Sequence, residues 1–409
     1  MKNLFGIFLL FCLITFTNKV CASKIKSGYW HTEFELSQGV NLPVDFSFDK
    51  INKTPILIII NGEEQIHLNK IRFSSDSIFV SFQTFDAELK IKIHSKTYIT
   101  GAWINHAKAG NYSVPFWSKF EGGPRYTFVS EQIPVEGKWE VTFDYKKEPE
   151  KAVGLFNYDH QTLITTNALH GTFLTETGDY RYLNGATIGD SLYLSTFDGS
   201  HAFLFRAKLL NDTLWGEFYS GNHYKTDWFA VKNEAFELTN PDSLTFVVNE
   251  KPISFELMKL DKTMYSYPNE LVKNKVVLIQ IMGTWCPNCL DESNYLKGIS
   301  ERYKDKVEIL AVTFETQKTV DEKIEKVKKY KESLNLNYTF LIGGDACKSC
   351  AAKLFPQLND IISFPTLIFI DKTGAIRKIH TGFSGPGTGE YYSDFVNETN
   401  AFLESLVSE

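Results

Sequence analysis

Residues 24 to about 248 alternate apolar and polar side chains with a period of two. Residues 78–82 and 192–197 are examples, and such alternation is typical of strands that bury one face. Short runs are separated by turn-forming pairs such as Asn61-Gly62 and Asn184-Gly185, and no long helical pattern interrupts them. This half of the chain is therefore predicted to be all-β and antiparallel.

The tryptophans of this half suggest an internal duplication. Three of them recur roughly 110 residues later, as the pairs Trp30/Trp139, Trp103/Trp215 and Trp117/Trp228. We predict two β-rich units, residues 23–135 and 136–248, each closing a sandwich or small barrel. Chance periodicity in aromatic-rich strands is the alternative.

From residue 252 onward, the pattern changes to alternating strands and helices. Residues 276–282 form a near-continuous apolar run, as expected of a strand buried on both faces. Further strands are predicted at 307–314, 338–342, 366–370 and 376–380, and helices from Cys289 to about Arg302, at 320–334, at 346–358 and at 391–406. The predicted fold class is α+β multidomain, with an all-β half followed by an α/β domain over residues 252–409.

Composition excludes several classes of protein. The 409 residues are 43% hydrophobic and 22% charged, as expected of a folded chain. The net charge of −6 argues against nucleic acid as a partner.

Residues 1–22 have the charge, short apolar run and small residues of a signal peptide cleaved after Ala22. A periplasmic or otherwise extracytoplasmic location follows, and lipid attachment at Cys21 is the less favoured alternative.

Four cysteines lie beyond this leader, in two pairs of identical spacing: Cys286/Cys289 and Cys347/Cys350. In an oxidising compartment such pairs indicate redox chemistry. The amino end of a helix stabilises a thiolate, so Cys286 is the candidate nucleophile. Cys289 would then resolve a mixed disulfide with substrate. A small inert disulfide is the alternative.

The segment Trp285-Cys286-Pro287-Asn288-Cys289 at a strand-to-helix junction, with Phe364-Pro365-Thr366 opening a later strand, resembles the thioredoxin superfamily. Within it, residues 252–409 are most similar to the extracytoplasmic TlpA/ResA-like thiol-disulfide oxidoreductases. Residues 283–289 and 380–389 further suggest the Bacteroidota members that carry a β-rich amino-terminal extension.

This resemblance implies a site and an activity. Pro365 would be cis and face the cysteines, with the backbone of Phe364 presented to an extended substrate. Trp285 would lie beside the active sulfur. The implied activity is thiol-disulfide exchange on a protein or small-molecule disulfide, with reduction preferred because TlpA-like proteins are usually reductases. The sequence itself does not fix the direction. A membrane thiol reductase would be the electron donor, and no cofactor is expected.

One position departs from the superfamily pattern. Thioredoxins carry a buried Asp six residues before the first cysteine, where this chain has Gln280. Gln cannot exchange a proton at neutral pH. Glu292, three residues after Cys289, matches an acidic residue of the TlpA/ResA-like group and could move the proton during resolution. It could equally serve only to favour the amino end of the helix.

Other polar features have weaker functional meaning. Cys347 and Cys350 could form a disulfide that pins a loop, or they could relay electrons to the first pair. A zinc site made of all four cysteines is less favoured, and no metal is expected. The glycine-rich loop 382–389 is more simply a turn than an anion site. A polar run in the second β unit could form a site, but surface charges and turn caps are the simpler interpretation. It comprises Glu176, Asp179, Arg181, Asp198 and His201.

Two functions compete with thiol-disulfide exchange. A thiol peroxidase would need Thr or Ser three residues before its reactive cysteine and Pro four residues before that, where this chain has Gly283 and Ile279. A β-rich binding protein with an inactive thioredoxin-like module is the non-enzyme alternative, and the intact Cys286 and Cys289 argue against it.

Overall fold

A computed structural model describes residues 25–126, 132–159, 167–249 and 251–409. The predicted signal peptide and Cys21 lie outside these residues. Within them, no helix is both long and apolar enough to cross a membrane.

The first sheet is antiparallel throughout and includes nine strands among the described residues. They are β1 (Gly28–Ser37), β2 (Val40–Ile51), β3 (Thr54–Asn61), β4 (Glu64–Leu68), β5 (Ile71–Phe73), β6 (Ser77–Ser81), β7 (Ala87–Ile93), β8 (Tyr98–Asn105) and β9 (Ser113–Phe120). Their hydrogen-bonded order is β4-β3-β2-β1-β9-β8-β7-β6-β5. In the pairings found among the described residues, β4 and β5 are therefore the two edge strands.

The second sheet repeats this meander. Its strands are β10 (Gly137–Phe143), β11 (Glu150–Tyr158), β12 (Ala168–Thr175), β13 (Gly178–Asp179), β14 (Leu183–Ile188), β15 (Ser191–Phe197), β16 (Ala202–Leu210), β17 (Thr213–Ser220) and β18 (Tyr224–Lys232). Here β11 also pairs with β12, so the strands close into a ring around an aromatic core. The prediction of a closed unit is thus confirmed for this sheet, while the boundaries proposed for the two units stay predictions.

The two sheets share internal contacts that mark them as copies. Trp30 and Trp139 are buried, and each indole N–H donates to a backbone carbonyl four residues earlier. Glycines on β8 and β17 each pair with an aromatic residue of the next strand, and a Cβ on either would lie 2.5 Å from that ring. These two pairs are Gly101–Phe116 and Gly216–Trp228.

The register corrects the other two tryptophan pairs. Trp103 is buried, whereas Trp215 is 45% exposed. Trp228 occupies the place of Phe116 rather than that of Trp117. The duplication therefore keeps the strand pattern but not every tryptophan, because bulges and loop lengths shift the spacing between strands.

The carboxy-terminal domain contains a mixed sheet flanked by helices. Its described elements are β19 (Phe255–Lys259), β20 (Met264–Tyr267), β21 (Val276–Met282), β22 (Val307–Glu315), β23 (Thr339–Asp345), β24 (Thr366–Ile370) and β25 (Ile376–Thr381), with helices α2 (Pro287–Arg302), α3 (Val320–Leu334), α4 (Lys348–Leu354) and α5 (Glu390–Ser408). The short helix α1 (Pro241–Leu244) precedes them. The strand order is β20-β19-β23-β22-β21-β24-β25, with β21, β22 and β23 parallel.

These elements confirm the predicted fold class, with two local differences. Strands β19 and β20 were not predicted, because their alternating pattern follows an irregular linker. The helix predicted over 346–358 is only α4, since a Cys347 cap and a turn at Pro356 confine it. Every residue of β21 is buried, as expected for a central strand.

The β half and the α/β domain are in direct contact. His380 and Thr381 on β25 bind Asp242 and Thr245 at and just after α1, at 2.7 and 2.8 Å. Leu290 on α2 packs against both the core of the α/β domain and that of the first sheet. Arg181 of the second β unit donates to the carbonyl oxygen of Pro287, so this unit also lies close to the amino end of α2, where the first cysteine pair is located.

Candidate active site

Cys286 lies where β21 ends and α2 begins. The buried strand brings the chain to the carboxyl edge of the sheet, and Pro287 starts the helix at a position where its missing N–H costs nothing. Cys286 is the N-cap: its Sγ accepts a hydrogen bond from the backbone N–H of Cys289 at 3.2 Å. The sulfur is thus held beside the unpaired amides at the amino end of the helix.

Cys289 lies one turn further along, on the inner side of α2. Both cysteines are thiols, and Cys289 is completely buried whereas Cys286 is 6% exposed. Burial, reinforced by hydrogen bonding and charge repulsion from Cys286, raises the pKa of Cys289 well above its usual value. Of the two cysteines, only Cys286 retains any exposure to solvent. Cys289 needs a proton acceptor before it can act as a nucleophile.

The nearby buried carboxyl group is that of Glu292. Its Oε2 accepts a hydrogen bond from Nε2 of Gln280 at 2.9 Å, and Gln280 also donates to Ser293. The hydroxyl of Tyr330 completes this network by donating to Ser293 at 3.1 Å. Burial raises the pKa of Glu292 to about 8, so the group exchanges protons near neutral pH.

The loop that contains Phe364 and Pro365, here called the proline loop, lies on the other side of the cysteine pair. The Phe364–Pro365 bond is cis, and the thiol of Cys286 donates to the carbonyl oxygen of Phe364 at 3.4 Å. The Trp285 ring packs edge-on against Phe364, with 5.7 Å between centroids. Its indole N–H donates to the carbonyl oxygen of Phe314 at 2.9 Å. All six residues predicted for the reaction and substrate contacts are therefore brought together, namely Cys286, Cys289, Glu292, Trp285, Phe364 and Pro365.

The second cysteine pair forms a disulfide at a separate place. Cys347 and Cys350 are bonded at the start of α4, after β23, two strands away from β21. Glu315 at the end of β22 lies between the two motifs. Its carboxylate accepts hydrogen bonds from the N–H and hydroxyl of Thr284, and its backbone carbonyl accepts from Ala346. Burial raises the pKa of Glu315 to about 7.

For the polar run in the second β unit, the expected turn caps are present, since Asp179 and Asp198 accept hydrogen bonds from backbone N–H groups two or three residues later. The expectation of surface charges was wrong for three of the five residues. Asp179, Arg181 and Asp198 are not surface charges, because each is at most 8% exposed. Asp179 and Arg181 bind residues of the α/β domain that lie more than a hundred residues away along the chain, and Asp198 lies beside Arg181. Glu176 is exposed and His201 is partly exposed, as the simpler interpretation expects.

Arg181 joins all three folded units beside the active-site helix. Its guanidinium donates to the carbonyl oxygen of Pro287 at 3.0 Å and forms ion pairs with Asp291 of α2 and Glu64 of the first sheet. Burial raises the pKa of Asp291 to about 7, although Arg181 acts in the opposite direction. Such a buried cluster is costly to break, since loss of one partner leaves uncompensated charge.

The glycine-rich loop forms part of this interface rather than an isolated turn. The N–H of Gly385 donates to the carboxylate of Asp179. A Cβ on Gly385 would lie 2.9 Å from Oδ2 of Asp291, and one on Gly387 would lie 2.9 Å from the carbonyl carbon of Arg181. Sequence reasoning missed Asp291 and Glu315 as members of the site. The available signals were the position of Asp291 beside the cysteine motif and that of Glu315 at the end of a strand.

Comparisons with known proteins concern the carboxy-terminal part of the chain. The Redoxin family matches residues 248–394. The thioredoxin-like protein YneN of Bacillus subtilis is 30% identical over 111 residues, which are 27% of this chain and 58% of that protein. The thiol-disulfide oxidoreductase ResA of Bacillus thuringiensis is 29% identical over 129 residues, 31% of this chain and 64% of that protein. The chain thus matches about three fifths of the length of each of these two relatives.

The solved structures that were matched also align with less than half of the chain. A putative protein disulfide isomerase from Bacteroides thetaiotaomicron covers 42% of this chain and 96% of its own, with 18% identity and a TM-score of 0.30. The family match and the two curated relatives concern the same part of the chain as the cysteine motif. Residues 248–394 match the Redoxin family, and this part of the chain is similar to the thioredoxin-like protein YneN and to the thiol-disulfide oxidoreductase ResA.

Proposed function

We propose that this chain is an extracytoplasmic thiol-disulfide oxidoreductase that acts as a disulfide reductase. The observation that carries the proposal is the position of Cys286, an N-cap thiol that contacts the Phe364 carbonyl beside a cis proline, with Cys289 buried behind it. The similarity to a thiol-disulfide oxidoreductase supports the same conclusion. The signal-like leader supports the location.

The proposed reaction has two exchanges. The thiolate of Cys286 attacks a substrate disulfide, forms a mixed disulfide and releases one substrate thiol. Cys289 then transfers its proton and attacks the Cys286 sulfur, which forms the Cys286–Cys289 disulfide and releases the second substrate thiol. Two electrons pass from the protein to the substrate, and the two thiol protons end on the released thiols. A membrane dithiol reductase would restore the reduced pair.

Glu292 is proposed as the proton acceptor for Cys289. It is a buried carboxyl group on the same helix, and its raised pKa of about 8 suits exchange with a thiol. Trp285, Phe364 and Pro365 are proposed to contact the substrate. Cys347 and Cys350 are proposed to pin the loop after β23, since their disulfide lies across two strands from Cys286.

The reduction potential of Cys286/Cys289 tests this function. Purified protein would be equilibrated in dithiothreitol or glutathione buffers, and the free thiols would be tagged and assigned by peptide mass spectrometry. A value near that of thioredoxin, about −270 mV, supports a reductase, whereas a value near −120 mV would indicate an oxidant. A Cys347→Ser/Cys350→Ser variant serves as the control: an unshifted transition supports the pinning role, and a shifted or split one supports an electron relay.

A further inference from the structure

The second β unit contacts the backbone on both sides of Cys286. The hydroxyl of Ser200 donates to the carbonyl oxygen of Trp285, the residue before Cys286, at 3.2 Å. Arg181 donates to the carbonyl oxygen of Pro287, the residue after it, at 3.0 Å. The backbone that carries the reacting sulfur is therefore bound directly by this unit.

A third contact joins the same unit to the proline loop. We call residues 175–178, which connect β12 to β13, the docking turn. The hydroxyl of the buried Ser363 donates to the carbonyl oxygen of Thr177 in this turn at 2.7 Å. A Cβ built on Gly382, which follows β25, would lie 3.0 Å from the carbonyl carbon of Thr177. The docking turn therefore packs closely against the end of β25 and the proline loop.

The Ser363 hydroxyl lies within reach of a second acceptor. Its oxygen is 3.2 Å from the carbonyl oxygen of Phe364, which accepts the thiol of Cys286 at 3.4 Å. No other donor to the Phe364 or Thr177 carbonyl is found among the described residues. A serine hydroxyl carries one proton, and the shorter distance indicates that it goes to Thr177. The Phe364 carbonyl is thus left to the thiol, and the dithiol form satisfies both carbonyl groups.

Oxidation of the cysteine pair removes one of these two donors. The Cys286–Cys289 disulfide has no thiol proton, so the single proton of Ser363 can serve only one of the two carbonyls. A buried carbonyl without a donor costs free energy comparable to a lost hydrogen bond. When the docking turn moves away, water reaches Thr177, and Ser363 is free to donate to Phe364. The disulfide form therefore gains from undocking, whereas the dithiol form does not.

We propose that Ser363 is a positioning residue that couples docking of the second β unit to the redox state of the cysteine pair. The docked unit favours the dithiol, and oxidation to the disulfide loosens the docking turn. The two effects are equal in size, because coupling between two equilibria is reciprocal.

The inference rests on the proposed function and gives the second β unit a part in it. When the Cys286–Cys289 bond forms, the two electrons and two thiol protons pass to a disulfide oxidant, which leaves as two thiol groups. In the test this oxidant is oxidised dithiothreitol, and reduced dithiothreitol drives the reverse reaction.

The test measures the redox equilibrium of the cysteine pair in full-length protein against dithiothreitol buffers, by alkylation of free thiols and peptide mass spectrometry. Gly387→Val should loosen the interface, because a Cβ there would lie 2.9 Å from the carbonyl carbon of Arg181. Gly385→Ala is a second interface variant, since its Cβ would lie 2.9 Å from the carboxylate of Asp291. Gly298→Val is the matched control: Gly298 is exposed on α2, and no other part of the chain lies within 4 Å of its Cβ position.

We expect Gly387→Val to shift the equilibrium about fivefold toward the disulfide, the effect of one hydrogen bond, and so to lower the reduction potential by about 20 mV at about 30 mV per tenfold. Gly385→Ala should act in the same direction, and Gly298→Val should stay within about twofold of wild type. No shift in either folded interface variant overturns the proposal.

A double-mutant cycle assigns the coupling to Ser363. Ser363→Ala by itself should leave the equilibrium within about twofold of wild type, because it removes the same donor from both redox forms. In that background Gly387→Val should no longer shift the equilibrium. Ser405→Ala removes an exposed hydroxyl that donates to the Phe402 carbonyl at 2.7 Å, and in this control background the shift should persist. An undiminished shift in the Ser363→Ala background overturns the proposal.

Hydrogen exchange provides an independent measurement of docking. The N–H of Gly385 donates to Asp179 across the same interface, so it should exchange about fivefold faster in the disulfide form than in the dithiol form. Ser363→Ala should remove this difference. Equal exchange in the two forms of wild-type protein overturns the coupling while leaving the proposed function intact. A cysteine pair that never equilibrates with dithiothreitol would overturn the proposed function, and the coupling with it.

Discussion

Replacement of Glu292 by Gln gives the sharpest test of how the buried cysteine loses its proton. The carboxyl group is completely buried, one oxygen binds Gln280, and the other has no hydrogen-bond partner among the described residues. Gln has nearly the same shape but cannot exchange a proton at neutral pH. The change therefore removes the proposed proton acceptor and leaves the packing of α2 in place.

The raised pKa of Glu292 makes stability depend on pH in a predictable direction. Its pKa rises from 4.5 to about 8 on folding because of burial. Between these values the native protein holds a proton that the unfolded chain has released, so the free energy of unfolding falls as pH rises. At 1.36 kcal/mol per pKa unit the loss is on the order of 5 kcal/mol. Glu292→Gln should abolish this part of the pH dependence, as measured by urea unfolding at pH 5, 6.5 and 8.

The same variant should slow resolution of the mixed disulfide. General acid–base groups contribute about 10²- to 10⁴-fold to rates, so we expect resolution by Cys289 to slow by about 10² or more. Single-turnover mixing with a small disulfide measures this step. Glu301→Gln on the exposed side of α2 is the control. A resolution rate within about twofold of wild type would retire Glu292 as the proton acceptor, and an unaltered pH dependence of stability would refute the assigned pKa.

Three further changes probe the rest of the site. Cys289→Ser should accumulate a mixed disulfide at Cys286, visible as a mass increase that dithiothreitol reverses; its absence would contradict the order of the two exchanges. Cys347→Ser/Cys350→Ser should cost about 2 kcal/mol of unfolding free energy through loss of a small closed loop, and equal stability would show that the disulfide pins nothing. Arg181→Gln should lower the free energy of unfolding by about 3–5 kcal/mol, because buried carboxylates lose their partner; a change below about 1 kcal/mol in urea unfolding would mean that water replaces it.

Local patterns in the sequence were enough to predict much of this fold. The apolar run of β21 and the Trp-Cys-Pro-Asn-Cys motif predict a buried strand followed by a helix that begins at a cysteine, and the structure has both. Alternation predicts the two β sheets, and the six residues proposed for catalysis and substrate contact are neighbours in space. These features depend on hydrogen bonds and side-chain periodicity within a few residues, which is why local sequence predicts them.

Only the tertiary structure revealed what surrounds the cysteine pair. Arg181 resembled a surface charge in the sequence, yet it bridges Pro287 and Asp291 on one side and Glu64 on the other. Likewise, Thr177 comes to lie beside Ser363 although 186 residues separate them. Alternation and motif spacing describe which face of one element is buried. They carry no information about which distant surface will cover that face, because the choice depends on shape and charge complementarity between whole domains.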